Sequence, residues 1–550
     1  MIRLTEIKLP LAHPSTAIAD AVVRTLGIQA AELQSVHIFK LSFDARKADL
    51  LQVYIVDVAL SSDAQEAEVL RRFENNPHVR PTPDMAYKPV AEANARTQLK
   101  NRPVVVGFGP CGIFAALVLA QMGFKPIVLE RGKKVRERTK DTWNLWRKNV
   151  LHAESNVQFG EGGAGTFSDG KLYSQIKDPR YLGRKVMQEF VKAGAPEEIL
   201  VDAHPHIGTF KLVKVVEHLR EQIIALGGEV RFQQRVTDVQ IENGQLQGLT
   251  VLDVATQQSY ALPTQQAVLA LGHSSRDTFE MLYERGVYME AKPFSIGFRI
   301  EHPQSLIDRA RWGRHTGHPL LGAADYKLVH HAKNGRAVYS FCMCPGGTVV
   351  AATSEVGRVV TNGMSQYSRN ERNANAGIVV GIDPIDFISE EYPANHPLAG
   401  IGLQRRLESN AYLLGGSTYE APGQLVGDFV KGVASTKLGG VEPSYKPGVK
   451  LVDLATALPS YAIEAIREAI PAFGKKIKGF DLPDAVLTGV ETRTSSPIKM
   501  TRGNDFQSLN VRGLFPAGEG ASYAGGILSA GVDGIKVAEA VALSLLSVEN

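Results

Sequence analysis

The residues best suited to bind a phosphate-containing ligand form a glycine turn. The sequence there reads Val104-Val-Val-Gly107-Phe-Gly109-Pro110-Cys111-Gly112, three valines followed by a G-x-G-x-x-G pattern. A buried parallel strand, such a turn and a following helix present backbone N–H groups to a pyrophosphate. Gly107 permits the tight turn, Gly109 lets the backbone approach the phosphates, and Gly112 lets the helix pack on the strand. Pro110 lacks an N–H donor, which costs little in the first helical turn. We therefore predict a dinucleotide site that includes the residues from Gly107 to Gly112.

The acid at the end of the next predicted strand is the second part of this site. That strand runs from Lys125 to Glu130, and Glu130 lies about 20 residues beyond the glycine turn. A carboxylate at this place accepts hydrogen bonds from the adenosine ribose hydroxyls and disfavours a 2′-phosphate. Arg131 follows it and is assigned to the same site. These elements do not distinguish NAD from FAD.

Three further segments contain glycine, which would let the backbone approach a flat ring closely, and the resemblance given below implies that they form the rest of the site. They are Phe159–Lys171, with Gly162, Gly163, Ala164, Gly165, Thr166 and Lys171; Val268–Asp277, with Gly272 and Arg276; and Gly513–Ile527, with Gly518, Glu519, Gly525, Gly526 and Ile527. The first two of these segments, each taken alone, are also compatible with a plain surface loop.

The segment Gly513–Ile527 resembles the closing motif of the glutathione-reductase-like FAD-binding superfamily. In that superfamily a short strand ends in Gly-Asp, and the acid binds the ribityl chain of FAD. Glu519 stands where aspartate is usual, which would displace the contact by one methylene group. Val268–Asp277 resembles the superfamily strand that ends beside FAD, and Phe159–Lys171 resembles the loop against the isoalloxazine ring. The resemblance implies that the dinucleotide is FAD.

The whole chain resembles the bacterial proteins known as FAD-dependent dehydrogenases or NAD(P)/FAD-dependent oxidoreductases. The segments Thr361–Ser365 and Glu491–Ile498 add to this resemblance. It implies an enzyme that passes a hydride or electrons between bound FAD and a small-molecule substrate, which it does not identify. A second G-x-G-x-x-G turn after a strand is absent from the sequence. NAD(P)H would therefore act as a transient electron donor at the flavin, and a redox partner protein is the other possible donor.

Two cysteines are the first candidates for catalysis. Cys342 and Cys344 lie in the segment Tyr339–Gly347. Their side chains would share a face of a regular strand. A redox dithiol that exchanges electrons with the flavin is one interpretation, and two structural thiols are the other. Two thiolates fall short of a four-ligand metal site, so we predict no metal.

His273 is the third catalytic candidate, because it follows Gly272 at the predicted end of a strand. It would act there as an acid or base, or simply hydrogen-bond the loop or the FAD. Arg493 and Lys499 would bind an anionic substrate or stabilise reduced flavin, or they are solvated or salt-bridged groups. The catalytic residues beyond these candidates are unknown.

The predicted elements give an α/β fold. We expect a Rossmann-like FAD-binding domain with an inserted mixed β-rich domain and an N-terminal ferredoxin-like α/β domain. The predicted boundaries are 1–95 for the ferredoxin-like domain, 96–275 for the first part of the FAD-binding domain, 276–480 for the inserted substrate-facing domain, and 481–550 for the C-terminal part of the FAD-binding domain.

Composition limits the remaining classes of function. The formal net charge of +4 over 550 residues gives no electrostatic argument for nucleic acid or a membrane surface. Three cysteines and an N-terminus without an apolar run predict a cytoplasmic protein. An FAD-dependent RNA-modifying enzyme and a non-catalytic FAD-binding sensor or scaffold stay as alternatives. The sequence does not indicate the oligomeric state.

Overall fold

The computed structural model describes residues 1–45, 49–93, 101–393 and 395–547. The strands are β1 (Ile2–Pro10), β2 (Leu33–Asp44), β3 (Leu51–Leu60), β4 (Val79–Pro81), β5 (Val104–Val106), β6 (Ile127–Glu130), β7 (Glu229–Phe232), β8 (Gln234–Glu242), β9 (Gln245–Asp253), β10 (Gln258–Pro263), β11 (Ala267–Leu269), β12 (Glu290–Ala291), β13 (Phe294–Pro303), β14 (Val329–His331), β15 (Ala337–Ala351), β16 (Thr361–Ser365), β17 (Asn373–Ile382), β18 (Ala421–Leu425), β19 (Val449–Leu451), β20 (Val486–Glu491), β21 (Ile498–Lys499) and β22 (Leu514–Pro516). The helices are α1 (Ala17–Leu26), α2 (Asp63–Arg72), α3 (Pro110–Gln121), α4 (Val135–Lys148), α5 (Leu182–Lys192), α6 (Thr209–Ala225), α7 (Arg276–Glu284), α8 (Gln304–Trp312), α9 (Ala399–Leu414), α10 (Val426–Lys431), α11 (Ser460–Lys476) and α12 (Ile527–Ser547). The predicted mixed α/β class is confirmed.

The chain divides into two compact units, and the first comprises Met1–Lys88 with Lys171–His206. Its sheet has the strand order β2-β3-β1-β4 with antiparallel pairing throughout. With α1 and α2 this is the connectivity of a split β-α-β unit. The sequence had assigned residues 171–206 to the FAD-binding domain. They join the first unit because Leu41 on β2 exchanges backbone hydrogen bonds of 2.8 and 2.9 Å with Val201 and Ala203. The predicted domain boundaries stay predictions.

The second unit comprises Pro89–Gly170 with Ile207–Asn550, and its first sheet is parallel. The strand order is β22-β11-β5-β6-β7, so β5, which precedes the glycine turn, lies at the centre. All three valines of β5 are buried, as expected for a parallel strand covered on both faces. Helix α3 contacts β5, β6 and β11 and packs on α6 and α12. Strands from distant parts of the sequence therefore end at one edge of this sheet.

A second, larger sheet lies in the same unit. Its order is β14-β15-β17-β13-β20-β18-β19, with β16 paired to β15. The core beside it contains Phe298, Ile300, Ile378 and Leu487, all with zero exposure. Strand β20 lies between β13 and β18, although the sequence had assigned its residues to the C-terminal part of the FAD-binding domain. None of the helices in the described residues is long and apolar enough to cross a bilayer.

Candidate functional site

The glycine turn after β5 can be built only with glycine at two of its positions. Gly107 has a φ of +98°, and a Cβ atom on it would lie 2.2 Å from the carbonyl oxygen of Ala270. A Cβ atom on Gly112 would lie 1.9 Å from the carbonyl oxygen of Gly107. Both distances are far below van der Waals contact, so the turn closes on α3 and on the residues after β11 without room for a side chain.

The loop that contains residues 160–166 lies against this turn. Gly162 donates its N–H to the Phe108 carbonyl at 2.8 Å. Gly163 has a φ of +61°, and a Cβ atom on it would lie 2.8 Å from the Cα of Gly109. On the other side, a Cβ atom on Gly165 would lie 3.0 Å from Cγ1 of Ile527. The loop thus contacts both the glycine turn and the first residue of α12.

The C-terminal motif completes the same surface. A Cβ atom on Gly518 would lie 2.8 Å from the Cβ of Cys111, and one on Gly520 would lie 2.4 Å from the carbonyl oxygen of Gly272. Asp533 on α12 accepts the Gly518 N–H at 2.8 Å and fixes the end of β22. The structure therefore brings the predicted segments 107–112, 162–166, 518–527 and Gly272 together.

Three predicted members of the site differ from the others. A Cβ atom on Gly525 or on Gly526 would meet no heavy atom within 4 Å, so these glycines border open space. Lys171 belongs to the first unit, and the other predicted residues belong to the second.

Glu130 ties three turns together through backbone hydrogen bonds. Its Oε1 accepts the N–H groups of Gly132 at 2.8 Å and Gly160 at 2.9 Å, and its Oε2 accepts the N–H of Phe108 at 2.9 Å. A carboxylate has about four acceptor positions, so these bonds leave about one for a ligand hydroxyl. The ribose contact stays a prediction.

Arg131 is held by protein groups on several sides. Its guanidinium carbon lies 4.0 Å from the centre of the Phe159 ring, and its nitrogens bond Asp277 at 2.8 Å and Glu154 at 2.9 Å. The two carboxylates hold the pKa of Arg131 above its ordinary value even though burial alone would lower it. Arg131 therefore links β6 to the start of α7.

Arg138 on α4 is a supporting residue that sequence reasoning missed. It is fully buried and donates to the backbone carbonyls of Asn156 at 2.7 Å, Val157 at 2.6 Å and Glu161 at 2.7 Å. Burial lowers its pKa to about 10, which leaves it charged at neutral pH. Its sequence neighbours give no signal for this role, because Arg138 stands among the many charged residues of α4.

Glu519 and His273 face each other across the site. His273 Nε2 lies 4.0 Å from Oε1 of Glu519. Burial raises the pKa of Glu519 to about 7, and the nearby Lys292 opposes the rise. Burial lowers the pKa of His273 to about 3, assisted by the charges of Arg493 and Arg276. Glu519 is therefore the group that exchanges a proton near neutral pH, while His273 stays uncharged.

Arg276 and Arg493 share one buried carboxylate. Glu408 on α9 has zero exposure and lies 2.7 Å from Arg276 Nη2 and 2.8 Å from Arg493 Nη2. Arg276 also bonds Glu355 at 2.5 Å and Gln404 at 2.9 Å. These partners occupy the terminal N–H groups of Arg276, which the sequence had assigned to cofactor binding. Arg493 is salt-bridged to Glu408, which is one of the alternatives that the sequence left open for it.

The two catalytic cysteine candidates lie where β15 is irregular. Pairing with β17 shifts between Phe341 and Cys344, and Cys342 has a φ of +42°. Cys344 has zero exposure and its Sγ lies 3.4 Å from the Cys342 carbonyl oxygen. Strand β15 is therefore not regular at Cys342 and Cys344, and the expectation that their side chains share a face of a regular strand does not apply there. The redox dithiol stays a prediction.

Comparisons with known proteins match most of the chain. A family model described as "FAD-dependent protein, C-terminal domain-like" matches residues 293–494, and a domain of unknown function, DUF8436, matches residues 1–59. An "Uncharacterized protein" of Clostridium beijerinckii is 46% identical over 544 residues, which is 98% of each chain.

Solved structures with lower similarity are also found. A quinol fumarate reductase of E. coli is 12% identical, with a TM-score of 0.38 over 82% of this chain and 71% of that one. A flavoprotein/dehydrogenase of Cytophaga hutchinsonii is 13% identical, with a TM-score of 0.34 over 81% of this chain and 79% of that one. A geranylgeranyl bacteriochlorophyll reductase-like protein of Thermoplasma acidophilum is 14% identical, with a TM-score of 0.33 over 81% of this chain and 79% of that one.

Proposed function

Because the chain belongs to a bacterial family of FAD-dependent proteins, we propose that it is an FAD-dependent oxidoreductase. In this proposal it passes a hydride or electrons between FAD and a small-molecule substrate. The observation that carries the proposal is the meeting of Gly109, Gly163 and Gly518 with their neighbours on one surface. This surface consists mainly of backbone from segments about 400 residues apart in sequence. A dinucleotide that lies close to the main chain requires such a surface, because side chains would keep it away.

The groups at this surface fit FAD. Helices α3 and α12 begin beside it, at Pro110 and Ile527, and helix N-termini favour phosphate and other negative charge. Thr166 lies in the same loop as Gly163, and its hydroxyl is buried with no hydrogen-bond partner among the described residues. A Cβ atom on Gly162 would lie 2.1 Å from this oxygen, so the hydroxyl packs against the loop and requires glycine at position 162.

Each side chain has a separate task in the proposed enzyme. Bound FAD supplies the redox chemistry, and the protein orients it. Glu130 binds the cofactor, while Arg138 fixes the loop that precedes Gly162 and Gly163. Glu519 holds or releases a proton at its carboxyl group. NAD(P)H as a transient donor and a redox partner protein are further parts of the proposal, whereas RNA modification and a non-catalytic sensor gain no support from the family match.

The proposed function is tested by cofactor binding followed by reduction. The purified protein is incubated with FAD, separated from unbound FAD by gel filtration, and examined for the visible flavin band. NADH, NADPH and reduced ferredoxin are then added without oxygen, and bleaching of the band is followed. We expect the protein to keep FAD and at least one donor to bleach it. A folded protein that does not bind FAD would contradict the proposal, and one that keeps FAD but is reduced by no donor would leave the sensor as the better reading.

Replacing Gly163 with alanine is expected to weaken FAD binding. Gly163 has a φ of +61°, and a Cβ atom on it would lie 2.8 Å from the Cα of Gly109, which is backbone and cannot rotate away. The loop would have to move from the glycine turn, so we expect the Kd for FAD to rise about tenfold, the equivalent of about 1.4 kcal/mol. Fluorescence titration with FAD measures the change. Gly335→Ala is the matched control, because Gly335 also has a positive φ, +83°, but a Cβ atom on it would meet no heavy atom within 4 Å. Equal effects of both variants would contradict the prediction.

A further inference from the structure

A chain of polar contacts connects the buried carboxylate of α9 to the C-terminal motif. Glu408 binds Arg493 at 2.8 and 3.0 Å. Arg493 Nη1 donates to Ser274 Oγ at 3.0 Å, and Ser274 Oγ lies 3.0 Å from Nδ1 of His273. Nε2 of the same ring lies 4.0 Å from Glu519. Four contacts therefore run from Glu408 to a carboxyl group of the proposed flavin site.

The donors in this chain favour one position for the His273 proton. An arginine only donates, so Ser274 Oγ accepts from Arg493 and its own proton is directed elsewhere. Among the hydrogen bonds of the described residues, Nδ1 of His273 is the acceptor within reach of that proton. The charge of Arg493 also polarises the hydroxyl and makes it a stronger donor. An uncharged histidine that accepts at Nδ1 carries its proton on Nε2, the nitrogen that faces Glu519.

We propose that Glu408 and Arg493 are positioning residues that act through Ser274 to hold the His273 proton on Nε2, directed at Glu519. The inference rests on the proposed function only in placing Glu519 beside the flavin. An N–H dipole directed at a carboxylate stabilises its charged form, whereas a nitrogen lone pair in the same place would stabilise the protonated form. The chain thus sets the pH at which Glu519 exchanges its proton.

Other charged groups at both ends act in the same region. Lys292 and Cys342 face Glu519, and Lys292 favours its carboxylate. Arg493, Arg276 and Glu408 surround His273. Burial and the two arginines lower the pKa of the ring and keep it uncharged at neutral pH, whereas Glu408 opposes them. Because the ring stays neutral, its influence on Glu519 depends on which nitrogen carries the proton and not on its charge.

Two serine variants separate this effect from a general loosening of the site. Ser274 and Ser354 both accept a hydrogen bond from Arg493 Nη1, at 3.0 and 2.7 Å, but Ser274 alone contacts His273. Ser274→Ala therefore removes the link to the ring, and Ser354→Ala removes a hydroxyl of equal size from the same donor.

The first measurement is the tautomer itself. Nitrogen NMR of protein labelled with ¹⁵N-histidine distinguishes protonated from unprotonated ring nitrogens, and the His273→Asn variant identifies the signal. We expect the proton on Nε2 in the wild type and in Ser354→Ala, and a shift toward Nδ1 in Ser274→Ala. The competing arrangement, in which the ring donates to the carbonyl oxygen of His273 itself, would show a protonated Nδ1 in the wild type and would overturn the proposal. This measurement does not require FAD, so its result stands even if the protein binds none.

The second measurement follows the visible flavin band of the FAD-loaded protein as a function of pH. Glu519→Gln should abolish a transition near neutral pH and thereby identify its source. Ser274→Ala should move that transition upward by about one pH unit, the equivalent of one hydrogen bond, while Ser354→Ala leaves it in place. Equal shifts in both serine variants, or none in Ser274→Ala, would overturn the proposal.

Discussion

Replacing Glu408 with glutamine is expected to lower the free energy of unfolding by about 3–5 kcal/mol. Glu408 is fully buried and binds Arg276 and Arg493 together. Burial alone would raise its pKa, but the two guanidinium groups outweigh burial and hold the pKa well below the ordinary value. Glutamine keeps the shape and removes the charge, so both arginines lose their common partner in a place that water does not reach.

Urea unfolding of both proteins measures this effect, and its pH dependence has a defined sign. The folded-state pKa of Glu408 lies below the unfolded value of about 4.3, so its contribution is complete above that value and is lost as the pH falls below it. The difference between wild type and Glu408→Gln should therefore be constant from pH 7 down to about 5 and narrow below about pH 4. Glu442→Gln is the control. The Glu442 side chain is 74% exposed and pairs with Arg372, which predicts a change of about 0–1 kcal/mol. A similar small change in Glu408→Gln would contradict the prediction.

Replacing Gly112 with alanine is expected to lower FAD affinity more than tenfold and to destabilise the chain by about 3 kcal/mol. The new methyl group would lie 1.9 Å from the Gly107 carbonyl oxygen and 3.4 Å from Cγ1 of Val105. The nearest atom is backbone, so no side chain can rotate away, and α3 must move from the strand. That movement would displace the helix N-terminus from the phosphates that we place there.

Calorimetry with FAD and urea unfolding measure the two effects of Gly112→Ala. Gly381→Ala on β17 is the control, because a Cβ atom there meets no heavy atom within 4 Å. Its FAD affinity should equal that of the wild type. Unchanged binding in Gly112→Ala would show that the turn does not contact the cofactor.

The parts of the site that the sequence predicts are those in which local geometry demands a residue type. The turn was predicted because close contacts at Gly107 and Gly112 exclude a side chain at these two positions. The same holds for Gly163 and Gly518, which are recognisable as parts of glycine-rich segments. In each case the residue type itself carries the information.

The polar network behind the site was not predictable in the same way. Glu408 is an ordinary glutamate in α9, and its importance comes from Arg276 and Arg493, which lie 132 and 85 residues away in sequence. Such a pairing depends on tertiary packing and leaves no local pattern. For the same reason the sequence did not indicate that Glu408 and Glu355 bind Arg276.

The position of β22 and α12 also constrains the order of events during synthesis. Gly518 packs on Cys111, so the contact between them can form only after about 400 further residues have been translated. At about 5–20 residues per second, that interval is roughly 20–80 s. Until then β11 lacks its outer neighbour β22, and α3 lacks the helix that covers it. A nascent chain therefore lacks the C-terminal part of the proposed FAD site until its synthesis is almost complete.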